Sequence, residues 1–305
     1  MVAGPDISFE MVFLGGLQRS GTTLLGRLLS QHSEVSGLVG TPTAEDEGQF
    51  IQDVYPNDHE LGRKTSRNLR GTSMRWAYNP KAHLTEADAA MIPDARARLD
   101  ESWRAYWADE SAPMRLEKTP SNLTRTRFLQ AIYPESRFLI ITRHPIIQAL
   151  AVRKWATVPK KVGLDLSKVV DHWLHAMDTF RKDQPHLRSV EVVSYESLMA
   201  QPAVVMVRLQ EFLGIQRELL DTSSVRNTST AYDRYWDYYR SHGRADYVRL
   251  NGDRPRDRVY ESLERIIAPI ASRAEMRRLS KLEPRLNEYG YSLDDLHCCG
   301  LRVDA

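Results

Sequence analysis

Residues 11–31, MVFLGGLQRSGTTLLGRLLSQ, hold the residue types and the spacing of an anion-binding loop. Gly15 to Gly21 is a glycine-bracketed turn that carries Gln18, Arg19 and Ser20. It follows Met11–Leu14, an apolar run of the kind a buried strand shows. It precedes Leu24, Leu25, Leu28 and Leu29, which recur at helical spacing. Strand, glycine loop and helix N-terminus together aim backbone N–H groups and the positive end of a helix dipole at a negatively charged ligand. Gly16 to Thr23 fits the spacing G-x-x-x-x-G-K-[ST], with Thr22 standing where the lysine would be.

That exception directs the reading. A nucleoside triphosphatase sets the lysine on its β- and γ-phosphates, and holds magnesium with a serine or threonine and a later aspartate. Here the positive charge lies inside the loop, at Arg19, and no apolar strand downstream ends cleanly in an aspartate. The phosphate cradle stands without the triphosphate and metal machinery. GLQRSGTTLL resembles the 5′-phosphosulfate loop of sulfotransferases, which use 3′-phosphoadenosine-5′-phosphosulfate (PAPS). The resemblance implies that Arg19, Ser20, Gly21, Thr22, Thr23 and Leu24 hold the 5′-phosphosulfate, with no metal required.

Three further motifs join this resemblance, which runs over roughly residues 11–215 in separated blocks. RFLIITRHP (137–145) is similar to the family's strand followed by Arg-Asp/His/Asn-Pro. There the arginine, with a serine eight residues later, binds the 3′-phosphate. Arg143, His144 and Pro145 match, whereas the eighth position is Ala151, so the hydroxyl is missing and Arg153 or Lys154 is the expected substitute. His144 reads as a packing or capping residue. Glu117-Lys118-Thr119-Pro120 looks like the element of carbohydrate and tyrosyl-protein sulfotransferases whose lysine stabilises the leaving bridge oxygen, which assigns that role to Lys118. Val193 to Leu198, VSYESL, resembles the motif whose tyrosine neighbours the adenine, here Tyr195. Transfer to an alcohol also needs a base at the acceptor hydroxyl. The resemblance puts a glutamate after the first helix in that role: Glu47 first, Glu45 second. His32 is the rival base, at a helix C-terminus where a cation would simply complement the dipole.

The elements that position these groups follow from the pattern. Met114–Glu117, Arg137–Thr142 and Ser189–Ser194 read as strands. Helices are expected after Asn122, which caps one, from Pro145 towards Trp155, around Val169–Phe180, and from Val204 to a stop at Gly214. Such alternation predicts an α/β fold, a P-loop-like parallel β-sheet flanked by helices, with a largely helical C-terminal part. Ligands then sit beyond the carboxyl ends of the strands. Asn57 to Lys81 reads as an irregular basic insertion with Trp76 and Tyr78, of the kind that forms lids or acceptor surfaces. Thr85 to Trp107 is helical, with Pro93 opening its second helix. Thr222 to Arg258 interleaves eight arginines with Tyr232, Tyr235, Trp236, Tyr238, Tyr239 and Tyr247. That mixture serves equally to stack bases or to cover the fold as a helix. Residues 257–290 read as amphipathic helices ending at Gly290.

The 305 residues are ample for one large domain, read as 1–305, with 57–110 as an acceptor-side insertion and 222–305 as a helical cover. A net charge of +2 does not mark a nucleic-acid binder, and Cys298 with Cys299 offers no disulfide framework or zinc site. No signal peptide and no apolar run of about 20 residues is visible, so a cytoplasmic protein without a membrane anchor is expected. The reading is a PAPS-dependent sulfotransferase, giving the product PAP (3′-phosphoadenosine 5′-phosphate). Its acceptor is expected to be a carbohydrate or other small metabolite; a homodimer is compatible with it. The rivals are a P-loop nucleotide kinase and a non-catalytic nucleotide- or RNA-binding module. Strong salt-dependent oligonucleotide binding would mark the module.

Overall fold

The structure, a computed structural model, describes residues 9–43, 45–65, 73–155, 165–223, 225–227, 229–242, 257–298 and 300. Five parallel strands form one sheet: β1 (Glu10–Gly16), β2 (Val35–Gly37), β3 (Met114–Lys118), β4 (Arg137–Thr142) and β5 (Val190–Ser194). Their spatial order is β2-β3-β1-β4-β5. Parallel strands are covered on both faces, which is why β1 and β4 read as continuous apolar runs. Val12 and Leu14 project to one face and meet Leu25, Leu28, Leu116, Leu139 and Leu209. Met11 and Phe13 project to the other and meet Trp103, Phe128 and Phe138.

Helix α1 (Thr22–Leu29) follows β1, and α2 (Asp58–Thr65) follows a loop from β2. Next come α3 (Glu86–Ala90), α4 (Ala95–Arg104), α5 (Thr126–Ile132), α6 (Pro145–Trp155) and α7 (Leu166–Asp183). Beyond β5 are α8 (Tyr195–Ala200), α9 (Pro202–Leu213), α10 (Thr230–His242) and α11 (Asp257–Asn287). The largest apolar cluster joins α6 and α7 to Tyr232, Trp236 and Tyr239 of α10 and to Leu279 and Leu286 of α11. Among the described residues no helix is long and apolar enough to cross a membrane.

The expected architecture holds, the bounds of β4 agree to the residue, and α6 starts at Pro145 as expected. Four local expectations do not. Asn122 lies inside a 3-10 turn, Pro120–Thr124, rather than capping α5, which begins only at Thr126 with Arg125 at the N-cap; its side-chain amide donates to Glu117 Oε2 at 2.6 Å. Pro93 lies outside α4; Asp94, at φ 53°, precedes it. Asn57 to Lys81 is structured where described. Trp76 is buried there, and the hydroxyl of Tyr78 is bonded to Asp171. The side chains of Arg63 and Lys64, and all of Arg67 and Arg70, lie outside the described residues. Finally, 257–287 is one helix, and Gly290 follows at φ 71°.

Strand register brings the site together. Leu14 pairs with Lys118, Gly16 with Ile141, and Thr142 with Ser194. The phosphate loop, Lys118, Arg143 and Tyr195 therefore leave the sheet at nearly one height.

Candidate active site

Beyond the carboxyl ends of the strands lies a cavity of about 690 Å³, within the roughly 300–1,000 Å³ of small-molecule sites. One end is cationic and rich in N–H groups. Leu25 N–H is bonded to Gly21 O, so the amides of Thr22, Thr23 and Leu24 precede the helical ladder and have no acceptor within α1. The loop's carbonyls are engaged elsewhere. Leu17 O accepts from Ser20 N–H at 3.0 Å, Gln18 O from Gln148 Nε2 at 2.7 Å, and Arg19 O from Arg143 Nη1 at 2.9 Å. Arg19 itself takes the left-handed conformation, at φ 69°.

Arg143 is the most enclosed cation at this end. Its guanidinium lies 4.0 Å from the centroid of Tyr195 and 5.5 Å from that of Tyr232, and Nη2 donates to Ser229 Oγ at 3.0 Å. Its Nε is buried and takes no hydrogen bond. Burial holds its pKa below the usual arginine value. Ala151 lies on the same wall. The expected substitutes for the missing serine do not stand there. Arg153 is fully buried against Tyr239, 5.9 Å from the ring centroid, and the side chain of Lys154 lies outside the described residues. The hydroxyl beside Arg143 is instead that of Ser229.

Gly21 shows how tightly this wall is built. Its φ is 106°, and a Cβ there would stand 2.7 Å from Tyr195 Cδ2. Gly21→Ala is expected to cost about 1–3 kcal/mol in backbone strain. Urea unfolding would show the loss, and displacement of Tyr195 should weaken nucleotide binding in parallel.

The lining also carries carboxylates: Glu45, Glu47 and Asp58, with Thr43, Phe50 and His59. Glu47 lies 3.4 Å from Lys118 Nζ through Oε1, and Oε2 accepts from Gln49 Nε2 at 2.8 Å. Burial raises the Glu47 carboxyl to about 7, against the opposing pull of Lys118; Asp58 and Glu117 push the same way as burial, and Gln49 pulls with the lysine. Lys118 also donates to Glu45 O at 2.6 Å, and Glu45 Oε2 accepts from Thr23 Oγ1 at 2.9 Å. The two acidic candidates are thus tied to the lysine and to the phosphate loop.

Behind this wall is a buried scaffold. Glu117 is fully enclosed and accepts from Gly48 N–H at 2.9 Å, Thr119 Oγ1 at 2.6 Å and Asn122 Nδ2 at 2.6 Å. Gly48 O accepts from Trp103 Nε1 at 3.2 Å. The short turn that presents Glu47 is therefore pinned on both sides of its backbone.

Of the residues singled out in the sequence, Arg19, Gly21, Thr22, Thr23, Leu24, Glu45, Glu47, Arg143, Ala151 and Tyr195 all line this one cavity. Ser20 and Lys118 do not reach its wall. Ser20 is buried in the loop, and Lys118 stands behind Glu45 and Glu47. His32 is apart from it: Nδ1 accepts from Glu34 N–H, and Nε2 bonds Gln216 O at 2.7 Å, which is a structural role. His144 is likewise structural. It receives Ile146 N–H, bonds Ser292 O at 2.9 Å, and is pushed down to about 4 by burial. Sequence reasoning missed Asp58, His59, Phe50 and Tyr232. The aromatic–arginine segment named Tyr232, but gave no sign that α10 reaches the cavity; Trp236 and Tyr239 pack inward as a cover.

A family model described as "Sulfotransferase family" matches residues 11–218. Protein-tyrosine sulfotransferase 2 of Gallus gallus is 25% identical over 219 residues, which are 67% of this chain and 51% of that protein. Nodulation protein NoeE of Sinorhizobium fredii is 27% identical over 147 residues, 48% of this chain and 32% of that one. The chain spans about half or less of the length of these curated relatives. Among solved structures, a sulfotransferase from Alicyclobacillus acidocaldarius aligns over 77% of this chain and 92% of its own, at 17% identity and a TM-score of 0.40.

Proposed function

The chain belongs to the sulfotransferase family, and from that premise we propose that it transfers a sulfuryl group from PAPS to a hydroxyl of a carbohydrate or other small metabolite. One observation carries the reading. A single cavity is lined by an anion cradle, by Arg143 and by Glu47, whose carboxylate is paired with Lys118 behind it.

The residues fit a doubly phosphorylated donor. The loop from Arg19 to Leu24 offers N–H groups and a helix N-terminus to the 5′-phosphosulfate. Arg143 offers a planar charged fork, with an unused Nε, to the 3′-phosphate. Tyr195 and Tyr232 flank that guanidinium and leave aromatic surface to the base. Bound there, PAPS supplies the sulfuryl group and PAP as its leaving group.

The chain's own residues do the rest. Glu47 is the base: it takes the acceptor's hydroxyl proton as the new O–S bond forms and the bond from sulfur to the bridging oxygen breaks. A carboxyl poised at about 7 is half ionised at neutral pH, near the optimum for such a base. Lys118 stands behind Glu45 and Glu47, so it acts directly on Glu47, favouring the anionic form that accepts the proton, and its charge acts on the departing phosphate through space rather than by contact. Glu45 holds the lysine through its carbonyl oxygen and touches the loop through Thr23.

Calorimetry of PAP, AMP and ATP, each with and without magnesium, tests the donor. PAP should bind most tightly and without metal. Tighter binding of ATP with magnesium, or no binding of PAP, would overturn the reading in favour of the kinase or the binding module.

A further inference from the structure

Gln49 lies next to the turn's glycine, fully buried, and every polar atom of its side chain is used. Oε1 accepts from Asp58 N–H at 3.0 Å and faces Ser121 Oγ at 3.0 Å, while Nε2 faces Glu47 Oε2 at 2.8 Å. A backbone N–H can only donate, so the atom opposite Asp58 must be the amide oxygen. The NH₂ end is thereby forced towards Glu47. It too can only donate, and Lys118 on the other carboxylate oxygen is also donor-only.

We propose that Gln49 is the positioning residue for Glu47, presenting a fixed donor that orients the carboxylate and keeps it ionised in a buried wall. The proposal rests on the reading of Glu47 as the base. Its anchors come from three directions: Asp58 at the start of α2, Ser121 on the turn after β3, and Thr119 Oγ1, which accepts Gln49 N–H at 3.4 Å. Asp58 in turn receives Gln18 Nε2 of the phosphate loop at 2.7 Å. A continuous path of hydrogen bonds therefore links the donor loop to Glu47. The charged groups around Glu47 are Lys118 and Glu117 on β3, Asp58 and His59 on α2, and Glu45 on its own segment. Gln49 is a neutral donor among them, so its removal changes no net charge.

The test reads Glu47 directly and needs no acceptor. Protein labelled with ¹³C at the glutamate carboxyl carbons is titrated, and Glu47 is assigned by the signal lost in Glu47→Gln. Gln49→Met keeps length and approximate volume; it should raise the midpoint by about one to two pH units, the worth of one hydrogen bond to a charged group. Gln49→Glu keeps an oxygen for Asp58 N–H and places a second carboxyl against Oε2, so the pair should show one raised midpoint. Midpoints unmoved in folded, PAP-binding variants would overturn the proposal, since a merely structural role changes stability alone. Should neither variant fold, the side-chain amide resonances of Gln49 in wild-type protein decide. They must shift with the Glu47 midpoint, and invariance would overturn the proposal. Loss of the base reading is distinguishable: there Glu47→Gln would retain full transfer whatever the midpoints do.

Discussion

Replacing Glu47 by glutamine should lower sulfuryl transfer by about 10²–10⁴-fold, the usual contribution of a positioned general base, while PAP binds as it does to wild type. The separation follows from the contacts, because Glu47 is held by Lys118 and Gln49 whereas Arg143 is held by Arg19 O, Ser229, Tyr195 and Tyr232. Glutamine keeps an oxygen for Gln49 but cannot take a proton. A single-turnover assay with pre-bound donor measures the loss. The wild-type pH profile carries the sign: burial raises this carboxyl to about 7, and only its ionised form is a base. The rate should therefore rise with pH up to about 7, level off above it, and fall about tenfold per pH unit below it. In Glu47→Gln that acidic limb should vanish. A variant that keeps both rate and limb would remove Glu47 from the chemistry and leave Glu45, tied to Thr23, as the next carboxylate to test.

Arg143→Ala should weaken PAP binding by about 10²–10³-fold, in keeping with the roughly 2–5 kcal/mol cost of truncating one partner of a buried charged pair. It should affect AMP far less. The guanidinium is enclosed by Tyr195, Tyr232 and Ser229, so neither water nor a neighbouring lysine replaces it readily. It also holds Arg19 O, and losing that bond loosens the loop. The two effects are separable by calorimetry. A phosphate-reading arginine costs PAP its advantage over AMP, whereas a merely loop-holding one would weaken both nucleotides equally. Arg143→Lys keeps the charge but loses the planar fork, and should fall between wild type and alanine.

The sequence made the fold legible wherever burial imposes a pattern. Arg137–Thr142 is apolar along its length because both faces of β4 are covered, and Pro145 and Gly214 mark helix ends for stereochemical reasons. The phosphate loop was legible because its chemistry is local: glycines, charge and helix start lie within a few residues. The carboxylate-bearing part of the cavity was not. Asp58 and His59 begin a polar helix whose composition reads as irregular chain. Tyr232 arrives from a segment beyond residues 11–218 and joins the cavity only through packing of α10 against α6. Asn122 resembles a cap by type, yet the 3-10 turn Pro120–Thr124 delays α5 to Thr126, and its side-chain amide serves the buried Glu117 instead. Glu117 was legible only as the neighbour of Lys118 in its motif, for an acid in a strand reads as a solvent-facing residue until the fold surrounds it.

Gly48 bears on how such a chain could diversify. A Cβ at this position would stand 2.7 Å from Glu117 Oε1 and 2.9 Å from Trp103 Nε1. The position next to Glu47 is thus closed to every side chain, and Gln49 on its far side is committed to four partners. Selection for a new acceptor would have to work through Thr43, Phe50 and His59, whose side chains line the same cavity and make none of this scaffold's hydrogen bonds. A library confined to those three positions should change acceptor preference while leaving donor binding intact; one centred on residues 48 and 49 should yield mostly unstable protein.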